Sequence, residues 1–527
     1  MKRIISIGAY IFVCLLTVMF QGKAQTYSPF GVCMHLQGGA EHVQMPANLR
    51  MAYDAGIRWV RADFSWGTVE GPQGNWHYEP LDIVVDEVNK AGLNMLGLLM
   101  GRPAWGRPVW EQMDNWLLYV ENVVRHFKGK VRYWEIWNET NLYPRFWDKA
   151  NDGENYASIL KAAYRKIKEI DPGATVVYAG TAGIPLDYIE QSFAAGAGDG
   201  FDKMAVHPYR AFINSWDATD RFREDIDNLR ALMVKYNIGH KDIWFTEMGV
   251  SSMAGVATRG QDVFHEIKAE TGKDWKIAVV CDDDFPVDPS FTAQTLRAFF
   301  PPGFQLDTVE ILDLRRVGAN NYDAVFFPPS DNIPLHISQV ITPYLTRYML
   351  GGGKVFYQTR NGNLFYYGDA AEKETRQAIF ITQTICLSLR FGIEKHFLYE
   401  MESPGENFFD REDNFGLVRR GLSPKPAYHA HATLGKLLPE GSKIDNSIEW
   451  RQNDCCVVSW KQPGGTRVWA VWSPEGERKV SVKIGKGFQK AIHCLGSALP
   501  DVTESSKTLE TSPSIIYLVG PETVEIQ

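Results

Sequence analysis

Two glutamates draw attention because each closes a run of residues typical of a β-strand. Glu139 ends the run at residues 133–139 (YWEIWNE), and Glu247 ends the run at residues 242–247 (DIWFTE). Asn and Glu are poor strand formers, so their place at the end of an apolar run favours a functional role. Hydrolysis of a glycosidic bond uses two such carboxyl groups, one to donate a proton and one to act as nucleophile or base.

The remainder of the chain must position these two residues, and its pattern indicates how. Strand-like and helix-like segments alternate between residue 30 and residue 247. The predicted strands cover residues 30–36, 57–64, 93–100, 131–139, 174–180, 201–207 and 242–247. The predicted helices cover residues 41–55, 80–91, 115–127, 156–170, 186–195 and 226–236. This alternation predicts an α/β fold with a (β/α)8 TIM barrel. An open doubly wound sheet is the alternative, but no glycine-rich phosphate-binding turn follows the first strand.

The predicted barrel is interrupted before its eighth strand. Residues 253–364 leave the pattern and predict a small inserted α/β domain. A helix at residues 370–391 and a strand at residues 395–400 then resume the barrel, which we assign to residues 25–252 and 365–437. The insert therefore follows the seventh strand, on the rim that carries Glu247, where long insertions are tolerated and often functional.

The insert and the carboxyl-terminal region have patterns of their own. Within the insert, we predict strands at residues 276–281, 308–312, 324–327 and 354–358, and helices at residues 291–300 and 337–350. From residue 438 to residue 527, short alternating runs separated by turn residues predict a β-sandwich.

Composition and charge limit the classes of partner. The 527-residue chain has a formal net charge of −8 and 22% charged residues. Because it has no basic surplus to neutralise phosphates, we do not expect nucleic acid as a partner.

The amino terminus predicts a cleavable signal peptide at residues 1–24. Lys2 and Arg3 precede an apolar run, and residues 22–24 (GKA) offer a cleavage site with small residues. A membrane anchor is the alternative, but the run is short for a span, and no other segment is apolar enough to cross a bilayer. No cysteine follows the run closely, which argues against a lipoprotein. We therefore expect a secreted or periplasmic protein.

The cysteines and one acidic run are candidate binding features. Six cysteines follow the signal segment at an irregular spacing that matches no zinc pattern, and a disulfide from Cys455 or Cys456 to Cys494 is one possibility. Residues 282–284 (DDD) could bind a cation, but a single acidic run is more typical of a solvated loop. The sequence therefore predicts no metal ion and no cofactor.

The residues around the two glutamates resemble the motifs of clan A glycoside hydrolases. Trp137-Asn138-Glu139 resembles the acid/base motif of the clan, and Thr246-Glu247 resembles its nucleophile strand. The resemblance implies that Glu139 is the acid/base, that Glu247 is the nucleophile, and that Asn138 binds the 2-hydroxyl group of the sugar.

Further residues carry the same resemblance. His207-Pro208-Tyr209 matches the His-x-Tyr pattern of the clan, which implies that Tyr209 hydrogen-bonds the nucleophile and that His207 supports the site or the substrate. Arg61 stands where many members keep an arginine near the nucleophile, although a salt bridge inside the barrel mouth is the alternative. Glu135 is expected inside the barrel, in a pair.

The extent of the resemblance favours one family. Residues 64–76 resemble the second-strand loop of the clan, and residues 416–428 resemble the stretch after the last strand in family 39-like members. The resemblance covers residues 28–252 and 365–437, and family 39 is the nearest. The clan often ends its last strand with Trp, whereas residues 399–402 read YEME here, which leaves the sugar open.

Other residues of the predicted rim are candidates for binding sugar. Trp66, Trp105 and Trp137 could stack on a sugar ring, and packing within the rim is the alternative for each. Glu400 follows the eighth strand and could bind hydroxyl groups or a cationic group.

The insert has a weaker resemblance, to glutamine-amidotransferase-like or flavodoxin-like units. The resemblance rests on residues 325–329 (VFFPP) and on a helix that ends at residues 351–353 (GGG). No nucleophile elbow is present in it. We therefore expect a non-catalytic wall of the substrate cleft or a contact in a homo-oligomer.

These observations predict an exported retaining glycosidase that acts on oligo- or polysaccharides, such as plant- or host-type glycans. An insert at the rim would close the cleft into a pocket, which favours exo action. A non-catalytic carbohydrate-binding protein on a glycosidase barrel is the alternative, and the intact glutamate pair argues against it. A further alternative is an enzyme that uses the insert for amide or ester chemistry, but no activated nucleophile is visible in the sequence.

Overall fold

The computed structural model describes residues 28–210, 213–252, 256–257, 262–281, 292–330, 335–359, 364–366, 370–406 and 410–527. The predicted signal peptide and the acidic run at residues 282–284 lie outside these ranges.

A parallel sheet forms the main body of the chain. Its strands are β1 (Phe30–Cys33), β2 (Trp59–Ser65), β3 (Asn94–Met100), β4 (Tyr133–Ile136), β5 (Thr175–Val177), β6 (Thr181–Ala182), β7 (Met204–His207), β8 (Ile243–Met248) and β9 (Lys395–Leu398). Neighbouring strands follow the order β5-β4-β3-β2-β1-β9-β8-β7-β6. A parallel bridge from Val177 to Lys203 links β5 to the segment before β7. The arrangement is consistent with the predicted TIM barrel, in which all strands end at one rim.

Amphipathic helices cover the outside of this sheet. The longer ones are Met45–Asp54, Glu79–Lys90, Met113–His126, Gly153–Ile170, Leu186–Ala194, Trp216–Lys235, Ala370–Arg390 and Pro426–Leu437, and the short ones are Gly39–Val43 and Trp66–Val69. Helix Glu79–Lys90 shows why they form, since Leu81, Val84, Val85 and Val88 are its buried residues and lie on one helical face.

Two helices differ from the prediction. The helix expected at residues 41–55 is two helices, because the chain breaks at Gln44 and a proline occupies the first turn of the second. The helix expected at residues 226–236 begins ten residues earlier, at Trp216. Ser215 caps it, with its Oγ accepting a hydrogen bond from Ala218 N at 3.1 Å. The acidic residues in its first half obscure the helical spacing of its apolar residues in the sequence.

The segment between β8 and helix Ala370–Arg390 forms a second sheet. The strand order is Gln305–Val309, Lys276–Val280, Ala324–Ser330, Lys354–Thr359, Leu364–Tyr366 and Val256–Ala257. The first four strands are parallel and the last two pair antiparallel. Helices Asp262–Thr271, Ala293–Phe299 and Leu335–Leu350 accompany it. Successive residues of one strand, Val325 and Phe326, belong to different apolar clusters, so both faces of the sheet are packed. Its resemblance to amidotransferases and its part in a homo-oligomer stay predictions.

The carboxyl-terminal region consists of antiparallel sheets, as predicted. One contains Lys443–Ile444, Cys455–Lys461, Arg467–Trp472, Ile516–Val519 and Lys490–His493, with Arg451–Gln452 beside Cys455–Lys461, and the other contains Thr508–Thr511, Arg478–Ile484 and Val524–Ile526. Val457 of the first sheet and Val482 of the second share one apolar core. The disulfide considered from the sequence is wrong, because Cys455, Cys456 and Cys494 are buried free thiols.

The interior of the parallel sheet has two layers that position the site. Trp59, Tyr133, Trp244 and Phe397 form an aromatic floor near the amino ends of the strands. Arg61, Glu135 and Thr246 follow two residues later on three of these strands and therefore point to the same interior side. Among the described residues, no helix is both long and apolar enough to cross a membrane.

Candidate active site

Glu139 reaches the rim through an unusual backbone turn after β4. Trp137 and Glu139 both have positive φ angles, 72° and 42°, which residues with a Cβ rarely adopt. Hydrogen bonds from Trp137 N to Leu99 O at 2.8 Å and from Glu139 N to Gly180 O at 2.9 Å hold the turn. Strained backbone of this kind is typical of functional sites, where the surrounding structure stabilises it.

Glu247 lies within β8, and its two carboxylate oxygens have different donors. Arg61 Nη1 donates to Oε1 at 2.5 Å, and Tyr209 Oη donates to Oε2 at 3.0 Å. Burial raises the pKa of the Glu247 carboxyl, but the charges of His207 and Arg61 and these hydrogen bonds together hold that pKa below its ordinary value. Glu247 is therefore ionised near neutral pH, as a nucleophile must be.

The two glutamates come close together, with His207 beside them. One oxygen of Glu139, one oxygen of Glu247 and one ring nitrogen of His207 all lie within 4.8 Å of one another. Such a trio could hold a metal ion by distance alone. The Arg61 guanidinium already binds the Glu247 carboxylate, however, and its positive charge opposes a second cation there.

Arg61 fits both interpretations made from the sequence, an arginine near the nucleophile and a salt bridge inside the barrel mouth. It is 5% exposed and bridges two carboxylates, Glu247 and Glu135, the latter through Nε to Oε2 at 2.6 Å. Its Nη2 also donates to Asn138 Oδ1 at 2.9 Å. Because the amide oxygen of Asn138 accepts from Arg61, its NH2 group is left to donate to a ligand in the cavity.

His207, the last residue of β7, contacts Glu139, and Tyr209, two residues later, contacts Glu247. His207 is fully buried, with Nδ1 at 3.0 Å from Glu139 Oε1 and Nε2 at 3.0 Å from Thr246 Oγ1. Burial and the charge of Glu247 raise the pKa of the Tyr209 phenol well above its ordinary value. Tyr209 therefore stays protonated and donates to Glu247.

A cavity of about 290 Å³ opens above the two glutamates. It is lined by His35, Arg61, Asp63, Leu98, Met100, Asn138, Glu139, Leu142, Arg145, Phe146, Tyr209, Glu247, Tyr399, Arg411, Glu412 and Phe415. A larger cavity of about 460 Å³ lies between helix Leu335–Leu350 and residues 403–425, and neither glutamate lines it. The smaller cavity is therefore the candidate active site.

The structure does not bring the three predicted tryptophans to the cavity wall. Trp66 is fully buried, with Nε1 donating to Glu70 Oε2 at 2.7 Å, and Trp105 packs edge-on against it. Trp137 is 5% exposed and donates to Phe146 O at 2.8 Å. All three pack within the rim loops, the alternative left open from the sequence. The cavity aromatics are instead Phe146, Tyr399, Phe415 and Tyr209.

Glu400 is also buried outside the cavity lining. It is 1% exposed, and neither of its oxygens has a hydrogen-bond partner among the described residues. Burial and the charge of Glu41 raise its pKa to about 9, so the carboxyl group is protonated near neutral pH. Its nearest cation is His35, whose Nε2 lies 3.5 Å from Glu400 Oε2.

Asp63 and His35 are two of the cavity residues that the sequence analysis did not identify. Asp63 lies two residues after Arg61 on β2, so the period of a strand could have placed it on the same interior side. His35 follows β1 in a loop and contacts Asp63 Oδ2 through Nδ1 at 3.3 Å. Loop residues have no period, so no sequence signal identified His35.

Comparisons with known proteins give a match only at the level of structure. No protein-family model matches the sequence. No curated protein matches it either. Among solved structures, a family 39 glycoside hydrolase from the gut symbiont Bacteroides cellulosilyticus WH2 is similar with a TM-score of 0.55 and 18% identity, over 93% of this chain and 80% of that chain.

Two further structures extend the comparison. A GH30 endoxylanase from Clostridium papyrosolvens C71 has a TM-score of 0.53 and 11% identity, over 94% of this chain and 97% of that chain. A GH39 β-xylosidase from Caulobacter crescentus has a TM-score of 0.51 and 13% identity, over 94% of this chain and 96% of that chain. At these identities the likeness establishes the fold alone. The chain thus has the fold of clan A glycoside hydrolases of families 39 and 30, and the resemblance of its motifs had predicted the clan, with family 39 as the nearest.

Proposed function

We propose that this protein is a retaining glycoside hydrolase in which Glu139 is the acid/base and Glu247 is the nucleophile. The observation that carries the proposal is the approach of the two carboxyl groups, whose nearest oxygens lie within 4.8 Å beneath the cavity. Retaining enzymes hold their two carboxyl groups about 5–5.5 Å apart, whereas inverting enzymes leave about 6.5–9.5 Å for a water molecule. The short separation therefore supports double displacement.

The partners of the two residues support the division of roles. Glu247 accepts from Arg61 and Tyr209 and is ionised, so it attacks the anomeric carbon while Glu139 gives its proton to the leaving oxygen. A glycosyl–Glu247 ester forms as the glycosidic bond breaks. Glu139 then takes a proton from water, the hydroxide adds to the anomeric carbon, and the ester bond to Glu247 breaks.

The proposed substrate is a carbohydrate, bound in part through Asn138. Its NH2 group faces away from Arg61 and can donate to the 2-hydroxyl group of the sugar. The names of two similar structures, an endoxylanase and a β-xylosidase, make β-xylosides the first class to test. The clan resemblance extends the choice to other equatorial β-linkages and to the stereochemically equivalent α-L-arabinosides.

We further propose exo action and export. The cavity of about 290 Å³ lies at the lower end of the range for ligand pockets, roughly 300–1,000 Å³, which supports binding of a chain end. Digestion of a long polymer into mixed oligosaccharides would contradict exo action. Export is tested by expression of the full chain in a host that secretes it, where the mass of the mature protein should correspond to cleavage after residue 24.

The function is tested with a panel of aryl glycosides: β-xyloside, β-glucoside, β-galactoside and α-L-arabinoside. We expect the wild type to release aglycone from at least one and to form first the product of retained anomeric configuration, seen by proton NMR. Glu247→Ala should abolish turnover, and Glu139→Ala should reduce it by about 10²–10⁴-fold for poor leaving groups. Exposed Glu111 provides the matched control, Glu111→Ala, with unchanged rates.

Azide separates the two roles. With azide, Glu247→Ala should give a glycosyl azide of inverted configuration, because azide replaces the nucleophile. Glu139→Ala should give one of retained configuration, because azide attacks the glycosyl–Glu247 ester. Sugar binding without turnover across the panel would favour the carbohydrate-binding alternative.

A further inference from the structure

Beneath the two glutamates lies a buried carboxylate that the proposed mechanism does not use. Glu135 is fully buried on β4 and does not line the cavity. Its Oε2 accepts from Arg61 Nε at 2.6 Å, and its Oε1 accepts from Gly180 N at 2.9 Å and from Thr246 Oγ1 at 3.0 Å. A buried carboxylate is stable only with such a set of hydrogen-bond donors.

The hydrogen bonds determine where the proton of the Thr246 hydroxyl points. Glu135 is ionised opposite the Arg61 guanidinium, and an ionised carboxylate only accepts hydrogen bonds. The single hydroxyl proton of Thr246 must therefore point to Glu135. The Thr246 oxygen can then only accept from its other neighbour, His207 Nε2, at 3.0 Å. His207 Nε2 consequently carries a proton.

The second ring nitrogen of His207 faces the catalytic pair. Nδ1 lies 3.0 Å from Glu139 Oε1 and 3.6 Å from Glu247 Oε2. The negative charge of Glu247 and an accepting oxygen of Glu139 favour a proton on Nδ1 as well. The ring cannot turn away, because it packs against the backbone of Gly180, where a Cβ atom would overlap Nε2.

We propose that Glu135 and Thr246 are positioning residues that hold His207 as an imidazolium, and that this charge sets the pH range in which the pair of glutamates works. The proposal rests on the proposed function of Glu139 and Glu247. The groups that face His207 are Glu135 of β4, Glu139 in the turn after β4, Thr246 and Glu247 of β8, and the backbone of Gly180.

The charges of the buried set support this assignment. With His207 protonated, two cations, Arg61 and His207, balance two anions, Glu135 and Glu247. Glu139 is then free to be the neutral acid of the first step. After it gives up its proton, the Nδ1–H group donates to the new carboxylate at the same 3.0 Å contact. With a neutral His207, the buried set would carry an uncompensated negative charge, which is costly.

The test replaces the Thr246 hydroxyl and measures kcat/KM against pH with the best aryl glycoside. Thr246→Val leaves Nε2 opposite a methyl group, so the imidazolium is lost near neutral pH. The loss of a positive charge within about 4 Å makes ionisation of both carboxyl groups less favourable, so both limbs of the pH profile should move up by about 1–3 pH units. Thr246→Ser keeps the hydroxyl and should restore the wild-type limbs.

Matched controls separate this effect from simple damage. Thr382→Val removes a buried hydroxyl that bonds to Ala378 O within its own helix, and it should leave both limbs unchanged. A Thr246→Val enzyme with a lower rate but unmoved limbs would overturn the proposal.

A second readout does not need activity. Nitrogen-15 NMR of histidine-labelled wild type, with the His207 signals assigned by their loss in His207→Gln, should show both ring nitrogens protonated at pH 7. A neutral His207 at pH 7 would overturn the proposal. Failure of the proposed function would look different, with turnover surviving in Glu139→Ala and Glu247→Ala.

Discussion

The two ends of the interior of the parallel sheet are built from the same strands but from opposite chemistry. At the amino ends, the aromatic floor of Trp59, Tyr133, Trp244 and Phe397 packs with ring centroids 4.7–6.3 Å apart. Two residues further along, Arg61, Glu135 and Thr246 form a polar layer joined by hydrogen bonds. The period of a strand places one residue of each kind on each of β2, β4 and β8.

The two layers separate stability from chemistry within one scaffold. Contacts between the rings of the floor are apolar and depend mainly on area, so the removal of a ring costs stability in proportion to the area lost. Contacts in the polar layer are directional and charged, so the loss of one partner leaves another buried group without its hydrogen bond. In TIM barrels the carboxyl-terminal face carries catalysis and the opposite face carries stability. The following predictions test that separation.

The largest effect is expected from Arg61 in the polar layer. Arg61→Met leaves Glu135 and Glu247 buried without their guanidinium, which should destabilise the fold by about 3–5 kcal/mol. Because the nucleophile also loses a charge partner and Asn138 loses its anchor, we expect kcat/KM to fall by at least about 100-fold. Urea unfolding and aryl glycoside kinetics measure the two effects. Arg50→Met, at an exposed arginine paired with Asp54, is the control and should change neither.

A result near the wild-type rate for Arg61→Met would contradict a catalytic role for the polar layer. It would mean that the polar layer, like the floor, serves only stability.

The floor should show the converse behaviour. Trp244 is 1% exposed and contacts three aromatic neighbours, so Trp244→Ala should cost about 3–5 kcal/mol of unfolding free energy. Below the unfolding transition, kcat of the folded fraction should stay within a few-fold of the wild type. The milder substitution Trp244→Phe should have a free energy of unfolding between those of the wild type and Trp244→Ala. A 100-fold loss of kcat in a folded Trp244→Ala protein would show that the floor also shapes the site.

The sequence predicted the strands and helices that carry the floor and the polar layer better than it predicted the side-chain contacts within them. The alternation of strands and helices predicted the sheet, and the strand ends predicted that Glu139 and Glu247 lie on one rim, where the structure brings them close together. Glu135 was expected inside the barrel in a pair, and it pairs with Arg61. These inferences succeed because strand period and strand ends are local properties of the chain.

What failed depends on the paths of loops. Trp66, Trp105 and Trp137 lie on the rim in sequence, but whether a ring faces the cavity or its support depends on the loops that pack on it. The same limit hid His35, which a loop brings to the cavity. A protonated, buried Glu400 was equally hidden, because its environment comes from Glu41 and His35, more than 350 residues away in the chain.

Glu400 is a buried carboxyl group that lies outside the polar layer and, within the part of the chain that the structure describes, has no hydrogen-bond donor of the kind that Glu135 has. Its folded-state pKa of about 9 lies above the ordinary value of 4.5, so the folded protein binds the proton more tightly than the unfolded chain. Its contribution to stability is therefore fully present below about pH 4.5 and is lost as pH rises to about 9. Glu400→Gln keeps the shape without the titration.

We expect the midpoint temperatures of the wild type and Glu400→Gln to be similar at pH 5. By pH 9 the wild type should have lost more stability than the variant. Glu402 supplies the contrast, because it accepts from Asn48 Nδ2 at 2.7 Å and Gly421 N at 2.8 Å, so Glu402→Gln should destabilise at both pH values. Parallel curves for wild type and Glu400→Gln would contradict the assignment of a protonated Glu400.

The smallest effect is expected at Cys33, on the boundary between the two layers. Its side chain packs in the cluster of the floor, and its Sγ donates to Thr246 O at 3.3 Å, in the polar layer. A thiol is a weak donor, so Cys33→Ala should cost only about 1 kcal/mol and leave kcat/KM within a few-fold. Burial and the charge of Glu247 raise the pKa of the Cys33 thiol well above its ordinary value, so native protein should resist iodoacetamide at this residue. If Cys33→Ala instead lowers kcat/KM more than tenfold, Cys33 belongs functionally to the polar layer. The position of the β8 backbone at Thr246 would then depend on this residue of the floor.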